Sequence, residues 1–410
     1  MAIKVLFVET NPALGGAQRS LLELAIALQK HDIEPSVAVP PGTLADALNA
    51  EKIPVHFLPT SIHSKKKSKN HEWTRRNTNL FCVFFVFIRV HSWFKTILAL
   101  RRLLKKIQPD ILHANSIHAG IVCSFQKTRH ILHVRDLRFN TLLLRFAARR
   151  ANAIAAISEP VQQRLAALKI NSTLIPNGIN NARFSLQPSA FNLTIGMVAQ
   201  WARWKRHDIF LRMAPLLREK IPNARFVLLP GEGGSDQKHE SSMRQLAREN
   251  GVEILPFTTD MPRFYATLAC LVHTAADEPF GRVIYEALAT GVPVVTRQNC
   301  NLPPPCVLVD SDDPQAFASA SAQLLRQRTP ENVVAWQTAC HNAAAAFDIN
   351  VTAEKCMALY VDVAPGAPWR QPGLRESTTR ALLHNWLTQA GLVPGAPGSF
   401  LMRSKRASSC

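Results

Sequence analysis

Asp277-Glu278-Pro279-Phe280-Gly281-Arg282-Val283-Ile284-Tyr285-Glu286-Ala287-Leu288-Ala289-Thr290-Gly291-Val292-Pro293-Val294-Val295 is the most informative stretch of the chain. An apolar run of strand length, Leu271–Thr274, precedes it. Glu278 therefore falls just past the carboxyl end of a strand, the edge at which open α/β sheets hold ligands. Pro279 suits the start of a helix, and Gly281 lets backbone amides come close to a diphosphate. Glu286 lies about two helical turns beyond Glu278, so the spacing predicts two carboxylates facing roughly the same way. Gly291 ends the helix and Pro293 opens the next strand. Ionised carboxylates only accept hydrogen bonds, and sugar hydroxyls donate them. A bare pair of exposed helix acids would satisfy the same spacing, so the surrounding chain has to decide.

Outward from this stretch, short apolar runs alternate with helical periodicity. The strand candidates Leu193–Ala199, Phe226–Leu229, Glu253–Pro256, Leu271–Thr274, Val292–Thr296 and Val307–Asp310 form one series. Lys4–Glu9, Ser36–Val39, Val55–Leu58, Asp110–Ala114, Ile131–Arg135 and Ala153–Ile157 form another. Most do not alternate polar and apolar, as expected of parallel strands covered on both faces. Helical patterns at Ala17–Gln29, Trp93–Ile107 and Pro160–Leu168 fill several gaps. A Pro-, Gly-, Asn- and Ser-rich stretch from Ile175 to Ser189 separates the two series. The expected organisation is a doubly wound α/β domain over 1–187 with a basic insertion at about 62–92, and a second over 188–350. A helix at 351–363 crosses back to the first domain, and 364–410 forms a weakly ordered basic tail.

A chain of 410 residues suits two such domains, and 47% hydrophobic content suits packed cores. The formal charge of +19 favours polyanions. Between Ile62 and Gln108 twelve basic residues face one acid, Glu72, and bulky apolar residues are interleaved. That mixture suits an anionic membrane surface. Nucleic acid is not expected as a partner, because there is no zinc finger, ribonucleoprotein motif or aromatic-interleaved basic stripe. The eight cysteines contain no Cys-x-x-Cys pair and read as free thiols. Met1–Glu9 does not read as a signal peptide, and the longest apolar run, Leu80–Ile88, is nine residues where a span needs about twenty. The expectation is a cytoplasmic protein, peripheral on the inner face of the plasma membrane.

The 277–295 stretch resembles the nucleotide-sugar motif of retaining glycosyltransferase family 4, of GT-B fold. Glu278, Pro279, Phe280, Gly281, Glu286, Ala287, Gly291, Pro293, Val294 and Val295 carry the likeness. Further stretches are similar to the family in the same order: Gly15-Gly16-Ala17-Gln18-Arg19, Asp110–Asn115, Ile157-Ser158-Glu159, Pro176–Ile179, and Ile195 through Lys205. The resemblance implies two Rossmann-like domains facing a central cleft and transfer of a hexose from a nucleotide-diphosphate sugar, with no metal or other cofactor. It implies a glycan or lipid-linked acceptor in cell-surface polysaccharide or lipopolysaccharide assembly.

By the same resemblance Glu278 contacts the donor sugar, Glu286 the ribose hydroxyls and Lys205 the diphosphate. Gly15, Gly16, Gln200, Pro279, Phe280 and Gly281 join the donor site. His133 hydrogen-bonds a donor-sugar hydroxyl, and Asp136 and Arg19 lie on the acceptor side. The catalytic set is then Glu278, His133 and Lys205. His113 reads as structural. Two departures stand out. Gln200 occupies the place of a family arginine, with Arg203 or Arg206 near enough in sequence to compensate. The stretch 296–305 lacks the family's Gly-Gly-x-x-Glu turn. Both favour, as the alternative, a catalytically weak or inactive GT-B protein that binds sugar nucleotides.

Overall fold

The computed structural model describes residues 2–59, 78–184, 193–231, 236–297, 302 and 305–364, with side chains from 93 onward in the helix Thr78–Ile107. The expected domain boundary at 187/188, residues 60–77 and the side chains of 78–92 in the basic insertion, most of 296–305, and the tail from 365 lie outside the described residues.

Among the described residues there are two parallel sheets. The first has strands β1 (Ile3–Val8), β2 (Ile33–Val39), β3 (Val55–Phe57), β4 (Ile111–Ala114), β5 (His130–Val134), β6 (Ala153–Ala156) and β7 (Thr173–Leu174), in the order β3-β2-β1-β4-β5-β6-β7. The second has β8 (Thr194–Ala199), β9 (Arg225–Pro230), β10 (Glu253–Ile254), β11 (Cys270–His273), β12 (Val294–Arg297) and β13 (Val307–Val309), in the order β10-β9-β8-β11-β12-β13. Each sheet reverses its winding once, beside its first strand. A crevice opens at such a switch point, beyond the carboxyl ends of the strands. This is the two-lobed, doubly wound GT-B architecture expected from the sequence. The expected strands are present with ends shifted by up to three residues, and the two-residue β7 adds to them.

Burial explains the unalternating strands. Val5, Leu6, Phe7 and Val8 are all inaccessible to solvent or nearly so, because helices cover both faces of the first sheet. The helix Gly16–Leu28 buries Leu21, Leu24, Ala25 and Leu28 on one face. The helix Thr78–Ile107 buries Leu100 and packs Trp93, Ile97 and Leu104 against the core, so its second half belongs to the first lobe. Among the described residues no helix is long and apolar enough to cross a membrane.

The helix Ile349–Val363 packs on the first lobe, although it follows the second sheet in sequence. Ala353, Cys356 and Tyr360 join the cluster that contains Leu24 and Leu28. It starts against the Pro176-Asn177-Gly178-Ile179 turn: the amides of Ile179 and Ile349 donate to the Phe347 and Ile179 carbonyls at 2.9 Å each. A Cβ on Gly178 would stand 2.5 Å from the Ile349 Cα, so only glycine permits this approach.

Candidate active site

The loop after β11 is shaped by Gly281. Its φ of +80° is left-handed, and a Cβ there would meet Ile284 Cδ1 at 2.8 Å. The turn starts the helix Arg282–Ala289, so Pro279 lies in the loop before the cap and not at the first helical position. Glu278 likewise precedes the helix. Helical periodicity therefore does not align it with Glu286; the loop folds back over the helix start and brings both carboxylates to one cavity. The Gly281 amide donates to Glu278 Oε1 at 3.1 Å and fixes that carboxylate.

Glu278 is 7% exposed. Its Oε2 accepts from Lys205 Nζ at 2.6 Å and lies 3.0 Å from His273 Nε2. Burial pushes the carboxyl up, but the Lys205 ammonium and the His273 hydrogen bond outweigh it and hold it well below the usual carboxylate range. Burial also lowers His273, which therefore donates as a neutral imidazole. Lys205 stands 4.0 Å from the centre of the Trp204 ring.

Glu286 accepts from the Tyr265 hydroxyl at 2.9 Å and from Arg282 Nη2 at 3.1 Å. Arg282 reaches the other lobe as well: it donates to both carboxylate oxygens of Glu23 at 2.9 and 3.0 Å, to Ser20 Oγ at 3.1 Å and to the Gly178 carbonyl at 3.2 Å. Burial raises the Glu23 carboxyl, and Arg282 opposes that rise. One guanidinium thus ties the lobes together beside Glu286.

The cavity between the sheet edges has a volume of about 630 Å³. It is walled on the second lobe by Gln200, Lys205, Glu278, Pro279, Phe280, Gly281 and Glu286, and on the first by Gly15, Gly16, Arg19 and Asp136. His133 is not on this wall. It is fully buried within β5, whose carboxyl end turns Arg135 and Asp136 to the cleft in its place. His133 Nδ1 lies 3.1 Å from His113 Nε2 and 3.2 Å from Arg135 Nη2, and His113 Nδ1 lies 2.7 Å from the Tyr360 hydroxyl. A guanidinium only donates, so His133 Nδ1 accepts. His113 then donates through Nε2 and accepts from Tyr360 through Nδ1. Burial, helped by Arg135, takes His113 down to about 3 and His133 well below the usual imidazole range, so both rings are neutral.

The two arginines expected to compensate for Gln200 do not face the cavity. Arg203 pairs with Asp236 at 2.9 Å, and Arg206 pairs with Asp208 at 3.0 Å and Asp312 at 2.8 Å. Gln200 itself extends toward the glycine loop: a Cβ on Gly15 would lie 3.9 Å from its Nε2. His273, Tyr265, Glu23 and Arg135 escaped the sequence reading. Arg282 stood inside the motif but outside the likeness, and its partner Glu23 lies 259 residues away, beyond any local pattern.

Comparisons with known proteins agree with this fold. The profile of Glycosyltransferase Family 4 matches residues 14–183, and that of Glycosyl transferases group 1 matches residues 192–327. The D-inositol 3-phosphate glycosyltransferase of Corynebacterium urealyticum is 30% identical over 209 residues, which are 48% of this chain and 49% of that protein. The enzyme of the same name from Mycobacterium marinum is 28% identical over 197 residues, 45% of this chain and 41% of its own. The chain thus matches about half the length of these curated relatives. The crystal structure of Anabaena HepE in complex with UDP and glucose superposes with a TM-score of 0.68 at 20% identity, covering 88% of this chain and 99% of that one. The chain belongs to the family 4, group 1 glycosyltransferases of GT-B fold.

Proposed function

We propose that this chain transfers a hexose, with retention of configuration, from a nucleotide-diphosphate sugar to a glycan or lipid-linked acceptor in cell-surface polysaccharide or lipopolysaccharide assembly. The observation that carries the proposal is the convergence of Glu278, Glu286 and Lys205 on one cleft at a switch point. Glu286, held by Tyr265 and Arg282, accepts from the ribose hydroxyls. Glu278, kept ionised by Lys205 and His273, accepts from the donor sugar. As the diphosphate departs, the Lys205 ammonium stabilises the charge that develops on it, and stabilisation of this kind supplies most of such a rate gain. One oxygen of the leaving diphosphate takes the acceptor's proton, so no separate base is needed. In this proposal the residues act without a metal or cofactor. The Anabaena neighbour, crystallised with UDP and glucose, supports a sugar-nucleotide donor.

A second reading, a sugar-nucleotide-binding protein with weak or no turnover, is favoured by Gln200 together with the diversion of Arg203 and Arg206 to other carboxylates. A thermal-shift screen of nucleoside diphosphates and their sugars, followed by donor hydrolysis for the wild type and Glu278→Gln, separates the two. A stabilising donor that is turned over only when Glu278 is present supports the enzyme. A stabilising donor that neither protein turns over supports the binder. We also place the protein on the cytoplasmic face of an anionic membrane through the basic segment before residue 93, and liposome flotation with and without anionic lipid tests this.

A further inference from the structure

The cavity is lined by Arg19, Arg135, Arg183, Lys205 and Arg282, and two of these meet a carboxylate among the described residues. Lys205 pairs with Glu278, and Arg282 with Glu23 and Glu286. Arg135 is different. It is 9% exposed and lines the same cavity, yet its hydrogen-bond partners among the described residues are both neutral: Nη1 donates to Asn177 Oδ1 and Nη2 to His133 Nδ1. The Nε–H is buried with no partner among the described residues. A guanidinium has five N–H donors, so most of this fork is unspent.

The surroundings do not neutralise it. The acceptor chain behind it ends in neutral imidazoles and the Tyr360 hydroxyl. Glu9 attracts Arg135 from beyond ion-pair distance, and its oxygens already accept from the amides of Thr10 and Asn11 and from Gln18 and Asn115. Arg282 repels it. Burial lowers the guanidinium to about 10, so it remains charged at neutral pH. A buried cation without a counter-ion is costly, and a fold keeps one where a ligand supplies the anion. Asn177 and His133 hold the guanidinium from two sides, and the residue stands in the lining of the cavity with N–H groups to spare. A fork of that kind matches the paired oxygens of a phosphoryl group.

We propose that Arg135 is the centre of a phosphoryl-binding subsite on the first-lobe wall of the cleft, with His133 and Asn177 as its positioning residues. Two sources carry the chemistry, the diphosphate of the donor and a phosphate ester on the acceptor. The choice between them rests on the donor reading above; the subsite itself does not.

The test uses the full chain as wild type, Arg135→Met and Arg135→Lys, with calorimetric titration of inorganic phosphate, of the nucleoside diphosphate that stabilises the wild type most, and of its nucleoside. A folded R135M whose melting temperature without ligand is at least that of the wild type is expected, because the variant removes an unpaired buried charge. R135K, which keeps a cation, checks the result should R135M fold poorly. If the donor is the source, R135M weakens the diphosphate by about tenfold or more and leaves the nucleoside unchanged, while R135K retains most of the affinity. If the acceptor is the source, the diphosphate binds both proteins equally, and phosphate binding to the diphosphate-saturated protein is lost in R135M. Unchanged binding of both phosphate and diphosphate in folded R135M overturns the subsite and leaves the donor reading intact. A wild type that binds phosphate through Arg135 but no nucleoside diphosphate supports the subsite and sinks the donor reading. Wild type that binds neither overturns both.

Discussion

The two walls of the cleft handle charge in opposite ways. On the second lobe each acidic group deep in the site has a cation against it: Glu278 has Lys205, and Glu286 has Arg282. On the first lobe Arg135 is held by an amide and an imidazole and pairs with no carboxylate among the described residues. The first arrangement is self-satisfied and rigid. The second leaves a positive charge waiting. The paired wall fixes groups that must accept from neutral hydroxyls, whereas an unpaired cation suits a partner that brings its own negative charge.

The largest effect is expected from breaking the paired wall. Lys205→Met should lower donor turnover by about 10²–10³-fold and destabilise the protein by about 3 kcal/mol, since Glu278 is left buried without its cation. Chemical denaturation of K205M beside the double variant K205M/E278Q checks the cause. The double variant should recover much of the stability and none of the activity. Equal stability of the two would mean that the ion pair is not what anchors the loop.

Arg282→Met comes next. It leaves Glu23 and Glu286 facing each other between the lobes and should cost about 2–3 kcal/mol in the same denaturation experiment. Adding Glu23→Gln should return part of the loss. A loss in R282M that Glu23→Gln does not relieve would argue against a charge-based latch between the lobes.

Gln200→Arg tests whether the second-lobe wall accepts the charge it lacks. Placed near the glycine loop, the new guanidinium should tighten nucleoside diphosphate binding by roughly fivefold in a titration, with the nucleoside unchanged. No gain would mean that the phosphates do not lie against residue 200.

The smallest effect is in the pH dependence. Burial takes His113 and His207 to about 3 and His130 to about 4, against about 6.5 for an unfolded histidine. The unfolded chain therefore binds more protons below that value. The contribution to stability is fully present above about pH 6.5 and is lost progressively as pH falls toward 3. Melting temperature should drop between pH 7 and pH 5. The drop should be shallower in His207→Phe, which retains a ring against Trp201 and removes one of the depressed histidines. A parallel pair of curves would show that His207 does not contribute.

Much of the architecture was legible from the residue pattern. Unalternating runs such as Val5–Val8 are visible as doubly covered strands because burial on both faces demands apolar residues at every position. The stretch 277–295 announced the motif because strand end, glycine and carboxylate follow one another within a single loop and helix. The details of that loop were not legible. Gly281 at φ +80° moves Pro279 and Glu278 out of the helix, and periodicity cannot anticipate a left-handed residue. His133 marks the other limit. A histidine at a strand end is equally consistent with facing ligand or core, and one residue of register in a pleated strand decides between them.

The sequence by itself determined two doubly wound α/β units, the family, and the acidic motif placed at a strand's carboxyl end, because these rest on local periodicity and short-range spacing. Only the tertiary structure decided which charges meet. Arg282 finds Glu23 across the lobes, Lys205 finds Glu278, Arg203 and Arg206 turn to other carboxylates, and Arg135 is left with neutral partners. Most of these pairings join residues tens to hundreds of positions apart, and their energies depend on burial, which no stretch of sequence specifies alone.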